Sequence, residues 1–141
     1  MTVAIWMGPA MQQMRDFIES YCAAWSAIIS GELDIMELTR FFHLPCLMVG
    51  QDGEVTEYQS AGDVEAFNLT RLTAFREGGA SHARLRGIDV GSEGPHLALV
   101  VVNWELLRKD GRLERAWRHY YTLHIGAEGP RILVSGFQTG A

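Results

Sequence analysis

Most of the side chains able to do chemistry fall in one run, NWELLRKDGRLERAWRHYYTL, Asn103–Leu123. It gathers Trp104, Trp117, His119, Tyr120 and Tyr121 around a single Asp110-Gly111 turn. An imidazole titrates near neutrality and can take or give a proton. A buried phenol can donate a hydrogen bond to an oxyanion developing on a carbonyl. His119 and Tyr121 stand two residues apart, so on a strand they share a face while Arg118 between them points away. His119 is therefore the candidate acid–base group and Tyr121 the candidate oxyanion donor. The bland alternative is a core histidine satisfied by Tyr121 or a helix side chain, beside a tyrosine packed with one satisfied hydroxyl.

Asp-Gly between apolar runs is a strong hairpin signal, and a two-residue turn pairs Lys109 with Arg112. Counting back, Trp104 faces Trp117, Val102 faces His119, Val100 faces Tyr121 and Ala98 faces Leu123. The other side carries Asn103 with Arg118, Val101 with Tyr120 and Leu99 with Thr122. The first set is assigned to an inner wall. The second leaves an apolar patch, which marks an interface and is expected to form a homodimer through the outer sheet face. A bulge in either strand would reverse part of this assignment.

The elements that must position this hairpin lie mostly upstream. Apolar residues recur at steps of three and four from Met11 to Ile29, predicting a long helix over 10–30 closed by Gly31. Tyr21 and Trp25 sit on its apolar stripe and are candidate ligand contacts. Asp34 with Glu37 forms a D-x-x-E capping box for a short helix over 35–42, which Leu44-Pro45 breaks. His43, at that break, is expected near the rim of any pocket, as a second base or an exposed end-of-helix histidine. PCLMVGQDGEVTEYQ reads as a hairpin about Asp52-Gly53. Ser60 and Asp63 open a third helix with Val64, Phe67, Leu72 and Phe75 inward, ended by Gly78-Gly79. Four segments of period two follow. Phe75, Trp104 and Trp117 complete the candidate ligand-lining set. The order predicts an α+β fold: a cone-shaped, curved antiparallel sheet with three N-terminal helices on its concave face. Residues 1–10 are expected as an arm and 11–141 as one domain.

The chain has 141 residues and a formal net charge of −5. That argues against nucleic acid or an anionic membrane surface as partner. The apolar N-terminus has no preceding basic residue and is short, so neither a signal peptide nor a membrane span is expected, and the cytoplasm is. Cys22 and Cys46 lie in apolar patterns and are expected as buried free thiols. The five histidines have no ligand spacing, so no metal is expected. Phosphate-loop, dinucleotide and serine-nucleophile motifs are missing, so no cofactor is expected.

The ordered set of YCAAW on the first helix, FFHLPCLMV, QSAGDVEAF and VVNWELLRKDGRLERAWRHYYTL resembles the nuclear transport factor 2-like superfamily over Gln12 to Thr139. It looks most similar to small single-domain bacterial members whose second helix runs into an HLPC-type strand start. The resemblance implies a deep apolar pocket for a small apolar molecule, between the helices and the inner sheet face, and dimers. It includes ketosteroid isomerases and polyketide cyclases. Where the isomerases carry a proton-shuttling acid before a proline, this chain has Leu44; their second pocket acid aligns near Tyr121. His119 occupies the type of position where cyclase relatives keep an acid or base.

Two readings follow. One is a ligand-binding module with no assigned reaction, favoured because no carboxylate falls on the predicted inner strand faces. The other is a cofactor-free isomerase, cyclase or hydratase using His119 and Tyr121.

Overall fold

The computed structural model describes residues 9–139, so the expected arm over 1–10 lies almost wholly outside the described residues. Helix α1 runs Pro9–Ile29. Met14, Ile18, Tyr21, Trp25 and Ile28 form its buried stripe. Gly31 ends it with φ 88°, a left-handed conformation that costs glycine nothing. Arg76 reaches across from the next long helix and donates to the last carbonyls of α1, Ile28 at 2.8 Å and Ile29 at 3.3 Å.

The capping residue Asp34 accepts from Met36 N at 2.9 Å, but the helix it opens, Ile35–Phe41, is 3-10 rather than α. The bond from Glu37 N to Asp34 O, three residues apart, is the tighter turn's own. Strand β1 (Phe42–Val49) follows without a break at Leu44-Pro45, and turns through Gly53, φ 85°, into β2 (Val55–Tyr58). Ser60 Oγ accepts from Asp63 N at 3.1 Å and opens α2, Ala61–Glu77. Then come β3 (Ala80–Glu93), β4 (Leu97–Arg108), β5 (Leu113–Gly126) and β6 (Gly129–Thr139).

The six strands make one sheet in the order β2-β1-β6-β5-β4-β3. The last strand inserts between β1 and β5, so β1 and β6 run parallel while every other pair is antiparallel. The expected all-antiparallel sheet thus carries one parallel seam. Register shifts at three points along β3 curl the sheet around α1.

The register of β4 with β5 matches the expected inner face: Trp104 opposite Trp117, Val102 opposite His119 and Val100 opposite Tyr121. The route to it differs. The turn has three residues, Lys109–Gly111, closed by Arg108 N to Arg112 O at 2.7 Å. Leu107 then pairs with Leu113 and Leu106 with Arg115, so Glu114 is an extra residue on β5. The longer turn shifts the pairing by one and the bulge at Glu114 shifts it back.

Strand β3 is a sheet edge, and α1 covers it. Ser26 Oγ donates to Ala83 O at 2.8 Å and accepts from Ala83 N at 2.9 Å, taking both outward backbone groups of a buried residue. Ser26→Ala leaves both unpaired, and we expect a loss of about 1–3 kcal/mol in urea unfolding. An unchanged unfolding midpoint would show that the hydroxyl is dispensable there.

Candidate functional site

Seven of the eight side chains singled out in the sequence meet inside the cone. Trp104 and Trp117 lie nearly parallel, 15° apart, with centroids 6.1 Å apart. Tyr21 sets its edge to Trp104 at 5.9 Å and to Tyr121 at 6.0 Å. Trp25 meets Phe75 at 5.4 Å, and Phe75 meets Trp117 at 6.1 Å. The His119 ring stacks on Tyr121 at 4.7 Å. The aromatic wall expected to shape a deep pocket instead fills it. The void bounded by Trp25, Phe75, Trp104, Trp117 and Tyr121 is about 10 Å³, room for about one water.

His43 stands apart. The pairing of β1 with β6 slips between Phe42 and Leu47, with four residues on β1 against one on β6 between the paired ends at Ile132 and Val134. Next to buried Phe42, His43 turns to the far side by alternation, against the ring of His124 at 4.9 Å, with Nδ1 2.8 Å from Pro45 O. It borders a separate shallow hollow, and so does Leu44.

His119 and Tyr121 share a face but open onto different spaces. Tyr121 borders the small inner void. His119 borders a cavity of about 210 Å³ at the mouth of the cone, between the β1–β2 loop, α2, β5 and β6. Trp117 Nε1 donates to His119 Nδ1 at 3.1 Å, and His119 Nε2 lies 2.7 Å from Ser135 Oγ. An indole nitrogen only donates, so Nδ1 carries no proton and the neutral ring is assigned the Nε2–H form. Nε2–H then donates to Ser135 Oγ, leaving the serine proton to point elsewhere. Protonating His119 would put a hydrogen on Nδ1 against the indole N–H. Burial, and after it the nearby Arg71 charge, hold its pKa well below the usual value.

The same geometry bears on nucleophilic chemistry. A histidine that activates a serine must accept its proton. Here the imidazole donates to the hydroxyl, so this pair is a donor relay.

Trp104 Nε1 donates to Tyr121 Oη at 3.0 Å. The Tyr21 hydroxyl points toward Trp25 and Tyr121 without an ordinary hydrogen bond to either. Burial raises both phenols, Tyr121 well above its usual value with the neighbouring Tyr21 adding to it. Burial likewise pushes the free thiols of Cys22 and Cys46 up to about 11.

Sequence reasoning missed three residues at the mouth, Arg71, Ser135 and Phe137. Arg71 lies between Phe67 and Phe75 at spacings of four, on one line along α2. Both phenylalanines read as inward, and that line was the signal. Its guanidinium carbon is 5.8 Å from the Trp25 centroid, 5.5 Å from Phe67, 5.8 Å from Phe75 and 5.7 Å from Phe137. Ser135 and Phe137 face Tyr121 and His119 across β5 and β6, which places them on the inner side by alternation. Asn68, one turn from Val64 and Leu72, is fully buried with neither amide atom hydrogen-bonded. Among the described residues no group of three His, Cys, Asp or Glu is placed to hold a metal ion, and no helix is long and apolar enough to cross a membrane.

The neutral form of His119 has a consequence for pH. Below pH 6.5 the unfolded chain takes up a proton that the folded ring refuses, so stability falls with acidification, by up to about 1.4 kcal/mol per pH unit. In urea unfolding at pH 7.5, 6 and 5, His119→Gln should flatten this dependence by up to one proton. Parallel pH profiles for both proteins would refute the assignment.

Residues 12–139 match the family model described as an NTF2-like protein, DUF6841. No curated protein matches the sequence. Among solved structures, an NTF2-like protein with a cystatin-like fold from Novosphingobium aromaticivorans is similar, with 14% identity over 94% of this chain and 84% of the other, TM-score 0.69. A domain of unknown function with a cystatin-like fold from Nostoc punctiforme matches at 17% identity over 93% and 77%, TM-score 0.63. An NTF-2 like protein of unknown function from Shewanella oneidensis matches at 12% over 89% and 95%, TM-score 0.64.

Proposed function

The chain belongs to the NTF2-like family DUF6841, and on that premise we propose that it is a small-molecule-binding module whose ligand sits at the mouth of the cone and is not turned over. The observation that carries this reading is the relay ending at Ser135. A neutral imidazole, fixed in one tautomer by Trp117, donates to a buried hydroxyl on the wall of a cavity of about 210 Å³. Such a hydroxyl has one lone pair engaged by the imidazole and its proton free, so it is a preorganised donor to an acceptor on a ligand. The two ingredients of the enzymatic alternative fall short together. His119 has no free basic nitrogen, and Tyr121 faces a void too small for a substrate.

A fragment library screened by amide chemical-shift changes tests the reading. Binders should shift Ser135, Phe137 and residues of the β1–β2 loop, and Ser135→Ala should weaken them about tenfold, the worth of one hydrogen bond. A library that moves only the His43–His124 hollow would overturn it.

The same reading includes a second copy of the chain on the outer face. Leu99 and Tyr120 are 50% and 46% exposed there, flanking half-buried Val101. Tyr120→Glu should shift the mass measured by light scattering from dimer to monomer. A monomeric wild type would end that part of the proposal.

A further inference from the structure

The mouth of the cone separates charge. Arg71 stands on the α2 wall of the cavity of about 210 Å³, and Asp52 and Glu54 stand on its β1–β2 loop wall; Arg115 of β5 borders an adjoining wider hollow that shares Asp52 and Phe137. Opposite charges across a confined space normally close into ion pairs. Here, among the described residues, no carboxylate comes within 4.0 Å of the Arg71 guanidinium, and Asp52 and Glu54 have no cation that near. Arg115 reaches only its neighbour Glu114, at 3.6 Å. The Asp52 carboxylate is instead held by its own loop, accepting from Glu54 N at 3.0 Å.

Arg71 is also held without using its donors. Four aromatic rings surround the guanidinium at cation–π distance, and among the described residues none of its five N–H groups makes a hydrogen bond. Ring faces fix a cation in place but do not satisfy N–H groups, which point along the guanidinium plane. A positioned planar fork with unspent donors fits a carboxylate, which it binds with two parallel bonds. The Ser135 hydroxyl borders the same cavity and supplies a further donor. A simple anion would then face the two carboxylates of the opposite wall. A ligand with an ammonium at its other end would meet them favourably.

From this arrangement we infer that the mouth cavity takes a small dipolar molecule, an amino acid with its carboxylate on Arg71 and Ser135 and its ammonium toward Asp52 and Glu54. The inference rests on the binding reading above and adds the chemical class of the ligand. The cavity is below the roughly 300–1,000 Å³ of drug-sized pockets, which limits the ligand to a few carbons between the two charges.

The test uses the full chain and the straight-chain ω-amino acids from glycine to 6-aminohexanoate. Matched monocarboxylates, matched primary amines and benzene-ring fragments without charge serve as comparisons, all titrated by chemical shift. At least one amino acid should bind ten times tighter than both the carboxylate and the amine of its length. Arg71→Gln should abolish its binding, and Arg71→Lys, which keeps the charge and loses the fork, should weaken it. Asp52→Asn with Glu54→Gln should erase the amino acid's advantage while leaving the monocarboxylate unchanged. A monocarboxylate or an amine that equals every amino acid overturns the inference, and so does undiminished binding to Arg71→Gln. The comparison among ligands is made on the wild type, so it stands even where a variant fails to fold. Binding at Ser135 and Phe137 by uncharged fragments alone removes this inference and leaves the binding module. No binder at all removes both.

Discussion

The interior of this protein depends on a single extra residue. A three-residue turn after β4 would send Trp117, His119 and Tyr121 outward and Arg118 and Tyr120 into the core, because a slip of one exchanges the two faces of a strand. The bulge at Glu114 absorbs that slip within four residues of the turn. Its Glu114 side chain lies against the end of α2. A side chain at Gly78 would come within 2.6 Å of Glu114 Oε1, and one at Gly79 within 2.5 Å of an Arg108 nitrogen. The paired glycines therefore do more than stop a helix. They leave room for the Glu114 and Arg108 side chains near the tip of the long hairpin.

What that parity brings inside is an aromatic cluster with polar atoms wired in series. Trp104 donates to Tyr121 and Trp117 to His119, so each indole satisfies a neighbour on the inner face. Two tryptophans facing each other across a hairpin leave little space, which is why the chemistry moves outward. The ligand surface we propose is the rim of the cone, where α2, the β1–β2 loop and β6 supply side chains that the hairpin alone does not. The inner void and the rim cavity share Arg71, which ties the packing of the core to the charge pattern of the mouth.

Much of this was legible in the residues. The helix stripe, the Ser60 cap, the Gly78-Gly79 stop and the alternation of β5 each have a local physical cause, and each appears where that cause puts it. The β4–β5 pairing was correct for a reason the sequence could not supply, since two deviations of opposite sign cancelled. Other features depended on distant partners. The parallel β1–β6 seam follows from where the last strand inserts, and no local pattern encodes insertion. His43 read as a rim residue because it sits at the Leu44-Pro45 break after the short helix; in the fold β1 already begins at buried Phe42, and alternation turns His43 to the outer side. Arg71 was passed over because charge on a helix reads as solvated surface. Its spacing from Phe67 and Phe75, rather than its type, held the information. A filled or hollow cone is a matter of side-chain volumes meeting across the core, which alternation alone does not measure.

The order of the sheet leaves its two rims unequal. Helix α1 packs along β3, and its Ser26 takes both outward backbone groups of Ala83; among the described residues β2 has no such cap on its outer backbone ladder. That ladder is four residues long and carries Glu57, with Glu54 just before it. Short length and negative charge are the usual protections against strand-on-strand polymerisation. Self-templated growth of fibrils from the native state is thus opposed at the β2 rim.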